Sequence, residues 1–208
     1  RVVDGQVSIT PLPALHSRDL VREAMLLTGQ AVAQYAQEHS LALPYSVQDA
    51  PDELIDLTDG ELSRMFAQRR RLRPGQSKAA PGPHSGLGLD RYVQATSPLR
   101  RYADLLVHQQ VRAHLRGEDT LDAPSLMERI AEASAGLIAA RRAERLSNNH
   151  WKLVYLLQNP EWKGEGIVVD SSGTRATVVI PELDLETNLY GRPDLELDEA
   201  VRLQLSDV

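Results

Sequence analysis

The 208-residue sequence contains no cysteine. That absence excludes a disulfide framework, a thiol nucleophile and thiolate metal ligation, and it fits a reducing compartment, with the cytoplasm as the expectation. No run of about 18 apolar residues occurs, so no membrane-crossing helix and no membrane partner are expected. The N-terminus lacks the charged, then apolar, then small-residue order of a secretory signal. Lysine is scarce: Lys78, Lys152 and Lys163 are the only three, and arginine supplies nearly all the positive charge. No internal repeat, phosphate-binding glycine loop or Ser/His/Asp constellation is visible. The chain opens on Arg1, with Val2 and Val3 reading as mid-strand, so a piece of a longer polypeptide is expected.

What is present is a globular composition, 42% hydrophobic and 25% charged, in a length that suits one large domain or one plus a small module. The net charge of −6 is unevenly spread. Residues 160–208 carry 4 Lys/Arg and 11 Asp/Glu, whereas residues 1–159 carry 19 and 18. This charge step, with a change of periodicity after Pro160, divides the chain at 1–159 and 160–208. Arginine's rigid fork suits bidentate phosphate contacts, and codon bias explains the same enrichment equally well.

The first part reads as helical. Ser17 is a plausible N-cap for a helix over 18–39, with Leu20, Ala24, Leu27 and Ala31 at helical spacing. Thr58-Asp-Gly-Glu61 has capping-box spacing and opens a second helix that runs into Arg69, Arg70, Arg71 and Arg73. Residues 74–86 are rich in Pro, Gly and Ser and read as a loop. A third helix is expected from Pro98 to Arg116, with Ser97 as N-cap. Asp122 and Pro124 open the longest helical pattern, which lasts to about Leu157. After Pro160, short β-rich runs separated by turns at Ser171–Gly173 and Gly191–Pro193 suggest a small OB-type barrel, so the fold class is α+β.

One segment carries unusual chemistry. Arg100 and Arg101 would fall in the first turn of the third helix, where the macrodipole favours acids. A phosphate there would meet free backbone N–H groups, the Thr96 and Ser97 hydroxyls and a guanidinium fork. The bland alternative is that Asp104, at i+4 from Arg100 and i+3 from Arg101, pairs one of them.

Three separated motifs resemble the ribonuclease II (RNB) family of exoribonucleases. They are Val21-Arg-Glu23-Ala-Met25; the run from Gly86-Leu-Gly-Leu89 through Tyr92, Thr96-Ser-Pro-Leu-Arg-Arg-Tyr102 and Asp104 to His108; and Ala140-Arg-Arg-Ala-Glu144-Arg145 with Trp151 and Tyr155. The likeness covers about residues 14–157, and the barrel sits where the family places its C-terminal OB-fold RNA-binding module. It implies the C-terminal half of an RNB-type catalytic domain that hydrolyses single-stranded RNA from the 3′ end to nucleoside monophosphates with Mg²⁺. Carried over, Arg100 would be catalytic, contacting the scissile phosphate. Glu23 would face the terminal nucleotide, and Thr96, Ser97, Arg101, Tyr102 and His108 would bind substrate in the same pocket.

The chain departs from the pattern where Gln94-Ala95 replaces the family's frequent His-Phe and His108-Gln109 its frequent His-Arg, which removes potential RNA contacts. The aspartate cluster that holds the family's Mg²⁺ has no equivalent in residues 1–208. The chain alone is therefore expected to be inactive and to be completed by an N-terminal half of the same nuclease. Asp52, Asp56 and Asp59 read as a solvated acidic loop, and Glu182, Asp184 and Glu186 as one exposed face of a strand. The Arg69–Arg73 cluster with Lys78 reads as a solvated helix end more than an RNA track. His84 lies in the loop before the Gly-Leu-Gly-Leu run, and His16, His39, His114 and His150, with no partner at metal spacing, read as surface or packing residues. Residues 160–208, at net −7 with only Trp162 and Tyr190 to stack, are expected to hold RNA weakly. The rival readings are a non-catalytic RNA-binding module on the same scaffold and, more weakly, a helical scaffold for protein partners.

Overall fold

Small residues decide how the first helix packs. The computed structural model describes residues 1–57, 59, 61–192 and 194–205, and in it helix α1 spans His16–Glu38 and buries Gly29, Ala33 and Ala36. The spacing of Leu20, Ala24, Leu27 and Ala31 does mark a helix but not its core face: all four are exposed. Close approach explains the reversal. A Cβ on Gly29 would stand 2.2 Å from the Tyr92 ring and 2.5 Å from the Val93 carbonyl oxygen, and the Val93 amide donates to Gly29 O at 3.3 Å. Ser17 is not the N-cap either; Leu15 precedes the helix and makes no side-chain cap bond.

The chain forms two compact units. One comprises Ala14–Asp52 and Leu72–Ala139. Its core joins Ala33 and Ala36 to Leu41, Leu43, Tyr45, Val93 and Val107. Strand β3 (Tyr45–Val47) pairs antiparallel with β4 (Gln76–Lys78), inside the stretch expected to be loop throughout. Those three residues lie in its longest run free of Pro and Gly, residues 76–80, so their N–H groups remain available for a ladder. Helix α3 spans Tyr102–Arg116 and starts four residues later than Pro98 suggested. Gln110 on α3 is buried and ties two loops together, donating to Ala42 O at 3.0 Å and Leu121 O at 2.9 Å and accepting from Leu121 N at 2.8 Å. Helix α4, Ala123–Gln158, begins and ends where its sequence pattern does. Asp122 caps it, accepting from the Ser125 amide at 2.9 Å, and the Ser125 hydroxyl together with that amide holds its carboxyl below the usual carboxylate range.

The other unit comprises Arg1–Pro13, Glu53–Arg71 and Ala140–Val208. Strands β1 (Val2–Val3) and β2 (Gln6–Val7) form a hairpin through Asp4 and Gly5, both at positive φ. Helix α2 is described over Leu62–Arg71; Thr58 and Gly60 of the expected capping box lie outside the described residues, as does Pro193 of the expected turn. Strands β5 (Lys163–Ser172), β6 (Arg175–Ile180), β7 (Leu185–Tyr190) and β8 (Ala200–Gln204) make an antiparallel sheet in the order β7-β6-β5-β8. Val168, Ala176, Val178 and Leu195 form its core, and Leu156, Ile180 and Leu183 a second cluster with Trp162 against it. The acidic trio is not a strand face. Pro181–Leu183 is a 3₁₀ turn, Asp184 sits at φ +47°, and only Glu186 lies in β7. No helix among the described residues is long and apolar enough to cross a membrane.

Candidate functional site

The Ser97–Arg101 segment is a turn, not a helix start. Ser97 O accepts from the Arg100 amide at 3.2 Å and from the Arg101 amide at 3.0 Å. Arg101 is then extended (φ −122°, ψ 114°) and α3 begins at Tyr102. The expectation that Arg100 and Arg101 occupy a first helical turn is thereby corrected: Arg101 is the residue before the helix, and Arg100 lies in the turn leading to it.

Asp104 decides that geometry. It falls in the first turn of α3, where an acid suits the macrodipole, and it is 0% exposed. Its Oδ2 accepts from the Ser97 amide at 2.8 Å and from Arg101 Nη2 at 2.7 Å. A buried carboxylate with two charge-assisted or backbone donors fixes both ends of the turn. Arg101 Nη2 also reaches Thr96 Oγ1 at 3.5 Å, while Arg101 Nε and Asp104 Oδ1 are buried without a hydrogen-bond partner among the described residues. Arg100 is exposed, and its guanidinium has no partner among the described residues. Asp104 thus pairs with Arg101, as the second alternative expected, and leaves Arg100 without a partner among the described residues.

The remaining proposed residues divide clearly. Thr96, Ser97 and Tyr102 belong to the same turn and helix start. His108 on α3 packs behind it, its Nε2 2.7 Å from the Ala95 carbonyl oxygen; a carbonyl can only accept, so that nitrogen carries the hydrogen. Ala95, where the family often has Phe, is buried in the core. Tyr92 lies beside the ion pair: burial pushes its hydroxyl pKa up, with Arg101 pulling it down and Asp104 pushing it further up. It also lines a groove of about 430 Å³ with Arg18, Val21, Arg22 and Met25. Among the described residues no hydrogen bond or ion pair joins Glu23 to this turn. It points from α1 into solvent, and its neighbour is Arg22, Nε 3.8 Å away. Gly29 and Gln110 escaped the sequence reading; a glycine inside a long helical pattern was the available signal for the first, and nothing local marks the second. Among the described residues no group of three or more His, Asp or Glu side chains is placed to hold a metal ion, so the residues present do not form a Mg²⁺ site.

The RNB domain profile matches residues 3–117, which include this turn and α3. The chain belongs to the RNB family. A second match, to the RNase II-type exonuclease C-terminal S1 domain, covers residues 162–208, and an S1 domain is OB-type, so the four-stranded sheet is the expected OB-type module of an α+β chain. An uncharacterized ribonuclease of Synechocystis is 33% identical over 215 residues, covering 97% of this RNB chain and 31% of that protein. The chloroplastic/mitochondrial ribonuclease II of Arabidopsis thaliana is 33% identical over 154 residues, 69% of this chain and 19% of its own length. The chain thus spans a third or less of these curated relatives. Among solved structures, Mycoplasma genitalium RNase R in complex with ribose-methylated single-stranded RNA superposes with a TM-score of 0.73 at 17% identity, covering 95% of this chain and 40% of that one. Yeast Ssd1, named a pseudonuclease, superposes at 0.67 and 18% identity, covering 91% and 28%. At those identities the likeness is one of fold.

Proposed function

We propose that this RNB chain supplies the Arg100 side of the active site of a hydrolytic exoribonuclease that shortens single-stranded RNA from its 3′ end and releases nucleoside monophosphates. The observation that carries the reading is the split between neighbours: Asp104 holds Arg101, and Arg100 is left exposed with its fork free. A free guanidinium held on a rigid turn is suited to the charge that builds on the oxygens of a scissile phosphate. Water adds to phosphorus, the ester oxygen of the preceding nucleotide leaves and takes a proton, and the terminal nucleotide departs as a monophosphate. Thr96, Ser97, Arg101, Tyr102 and His108 shape the pocket, and Glu23 faces the terminal nucleotide. Residues 1–159 act as part of the catalytic domain and 160–208 as the S1 module, in the cytoplasm. The partner is an N-terminal half of the same nuclease, whose aspartates hold Mg²⁺. Relatives named ribonuclease and the shared fold of RNA-bound RNase R support this.

The test is incubation of the intact protein with 3′-labelled and 5′-labelled oligoribonucleotides, with and without Mg²⁺. Stepwise loss of mononucleotides from the 3′ end only with Mg²⁺ is expected. Binding without any product under either condition sinks the reading and favours a second one, a non-catalytic RNA-binding module. That alternative has its own support, because the pseudonuclease Ssd1 shares the fold.

A further inference from the structure

Sequence spacing leaves His39 and His114 without partners; the fold does not. They are far apart in the chain, yet the unit of Ala14–Asp52 and Leu72–Ala139 brings their ring centres to 5.1 Å, with the planes at 51°. Tyr35, one helical turn before His39, stands 4.3 Å from that ring and edge-on to His114 at 5.8 Å. The three rings form one cluster at the end of two helices.

The approach is fixed by the surrounding packing. Ala33 and Ala36 of α1 share a core cluster with Val107 of α3, and Val111 of α3 packs against it. Each histidine sits where its helix stops. His39 is the residue closing α1, its amide bonded to Gln37 O and Tyr35 O, and Ser40 then turns the chain at φ +53°. His114 lies in the last turn of α3, where Gly117, at φ +66°, donates to the His114 carbonyl and ends the helix. The backbones that carry the two imidazoles are thus held on both sides.

Two imidazoles that share one tetrahedral ion, each nitrogen about 2.0–2.1 Å from it, have ring centres about 5 Å apart. The observed 5.1 Å meets that requirement. The ring nitrogens are also uncommitted, because no hydrogen bond or ion pair engages either imidazole among the described residues. His39 is exposed and His114 half-buried, so water can reach the positions the protein does not fill. The carbonyl ends of two helices lie here, and their dipoles favour a cation. We infer that His39 and His114 form a two-imidazole clip for a borderline divalent transition-metal ion of the Zn²⁺ class, which staples the C-terminal end of α1 to that of α3. Imidazole suits such ions, whereas Mg²⁺ takes oxygen ligands, so this site is separate from any that holds Mg²⁺. With two protein ligands in place of the three or four of a catalytic or structural zinc site, water completes the shell and the ion exchanges. The inference is independent of the proposed catalysis.

Titration of the intact protein with ZnCl₂ in excess Mg²⁺ tests it, read by the imidazole resonances and by thermal unfolding. The His39 and His114 signals are expected to shift together along one binding curve, and Mg²⁺ alone to move neither. Zinc raises the unfolding temperature of the unmodified protein, because the ion binds the folded pair. His39→Ala and His114→Ala each weaken zinc binding by about tenfold or more, at least the loss that follows removal of an outer-shell partner, and abolish the rise. His39→Gln, at an exposed helix end, keeps the fold without metal and shows the same loss. The inference is overturned if zinc leaves the two signals in place or moves only one. It is equally overturned if Mg²⁺ moves both, or if the unmodified protein and the folded His39→Gln variant bind zinc alike.

Discussion

Asp104 Oδ2 lies 2.7 Å from Arg101 Nη2 and 2.8 Å from the Ser97 amide nitrogen, so one buried oxygen anchors both ends of the turn that presents Arg100. Adjacent arginines thereby take different duties. Arg101 is three-quarters buried with its carboxylate and belongs to the scaffold; Arg100 is exposed to solvent.

Stability separates the two. Asp104→Ala removes one partner of a buried pair and is expected to cost about 3 kcal/mol. Arg100→Ala touches no internal partner and should stay within about 0.5 kcal/mol. Denaturant unfolding of the two variants checks this, and comparable losses would show that Arg100 also holds the fold together.

Two helical glycines should respond in opposite directions. Gly29→Ala drives a methyl group to 2.2 Å from the Tyr92 ring and 2.5 Å from a backbone oxygen, an overpacking that costs about 2 kcal/mol or more. Gly136→Ala meets nothing within 4 Å and replaces a poor helix former in α4, for a gain of up to about 1 kcal/mol. Thermal unfolding of both variants reads the contrast.

His84 gives the first unit a pH dependence. Its Nδ1 is buried without a hydrogen-bond partner among the described residues, and burial lowers its pKa below the ordinary histidine value of 6.5. The folded state therefore binds fewer protons than the unfolded one just below that value. The stabilising contribution is complete above pH 6.5 and fades as pH falls toward the depressed folded value. His84→Gln is expected to flatten that part of the stability curve. An unchanged slope would place the titrating group elsewhere.

The residues differ in how far local pattern could reach them. The Asp104–Arg101 pair follows from i, i+3 spacing, and the bounds of α4 follow from its cap and periodicity. The start of α3 does not, because Ser97-Pro98 satisfies the rules for a helix beginning and only the carboxylate of Asp104, reaching back to the Ser97 amide, selects a turn instead. The packed side of α1 was hidden because large apolar residues advertise a face and small ones do not, yet Gly29, Ala33 and Ala36 admit the neighbouring backbone. Alternation suggested a strand at Glu182–Glu186 without revealing the 3₁₀ turn that interrupts it. The Arg69–Arg71 cluster reads as solvated from composition alone. Its partners Glu186, Asp170 and Glu53 are far away in the chain or, for Asp170, aimed by a bulge that no spacing announces.

The most direct measurement is single-turnover cleavage of a 5′-labelled oligoribonucleotide by the intact protein carrying Arg100→Ala, with RNA affinity measured in parallel. The cleavage rate should fall by about 10³-fold or more while affinity changes by less than about tenfold, as for an arginine that acts on the transition state. A rate within a few-fold of the unmodified protein would contradict the role of Arg100, and with it the functional reading of the turn that Asp104 holds.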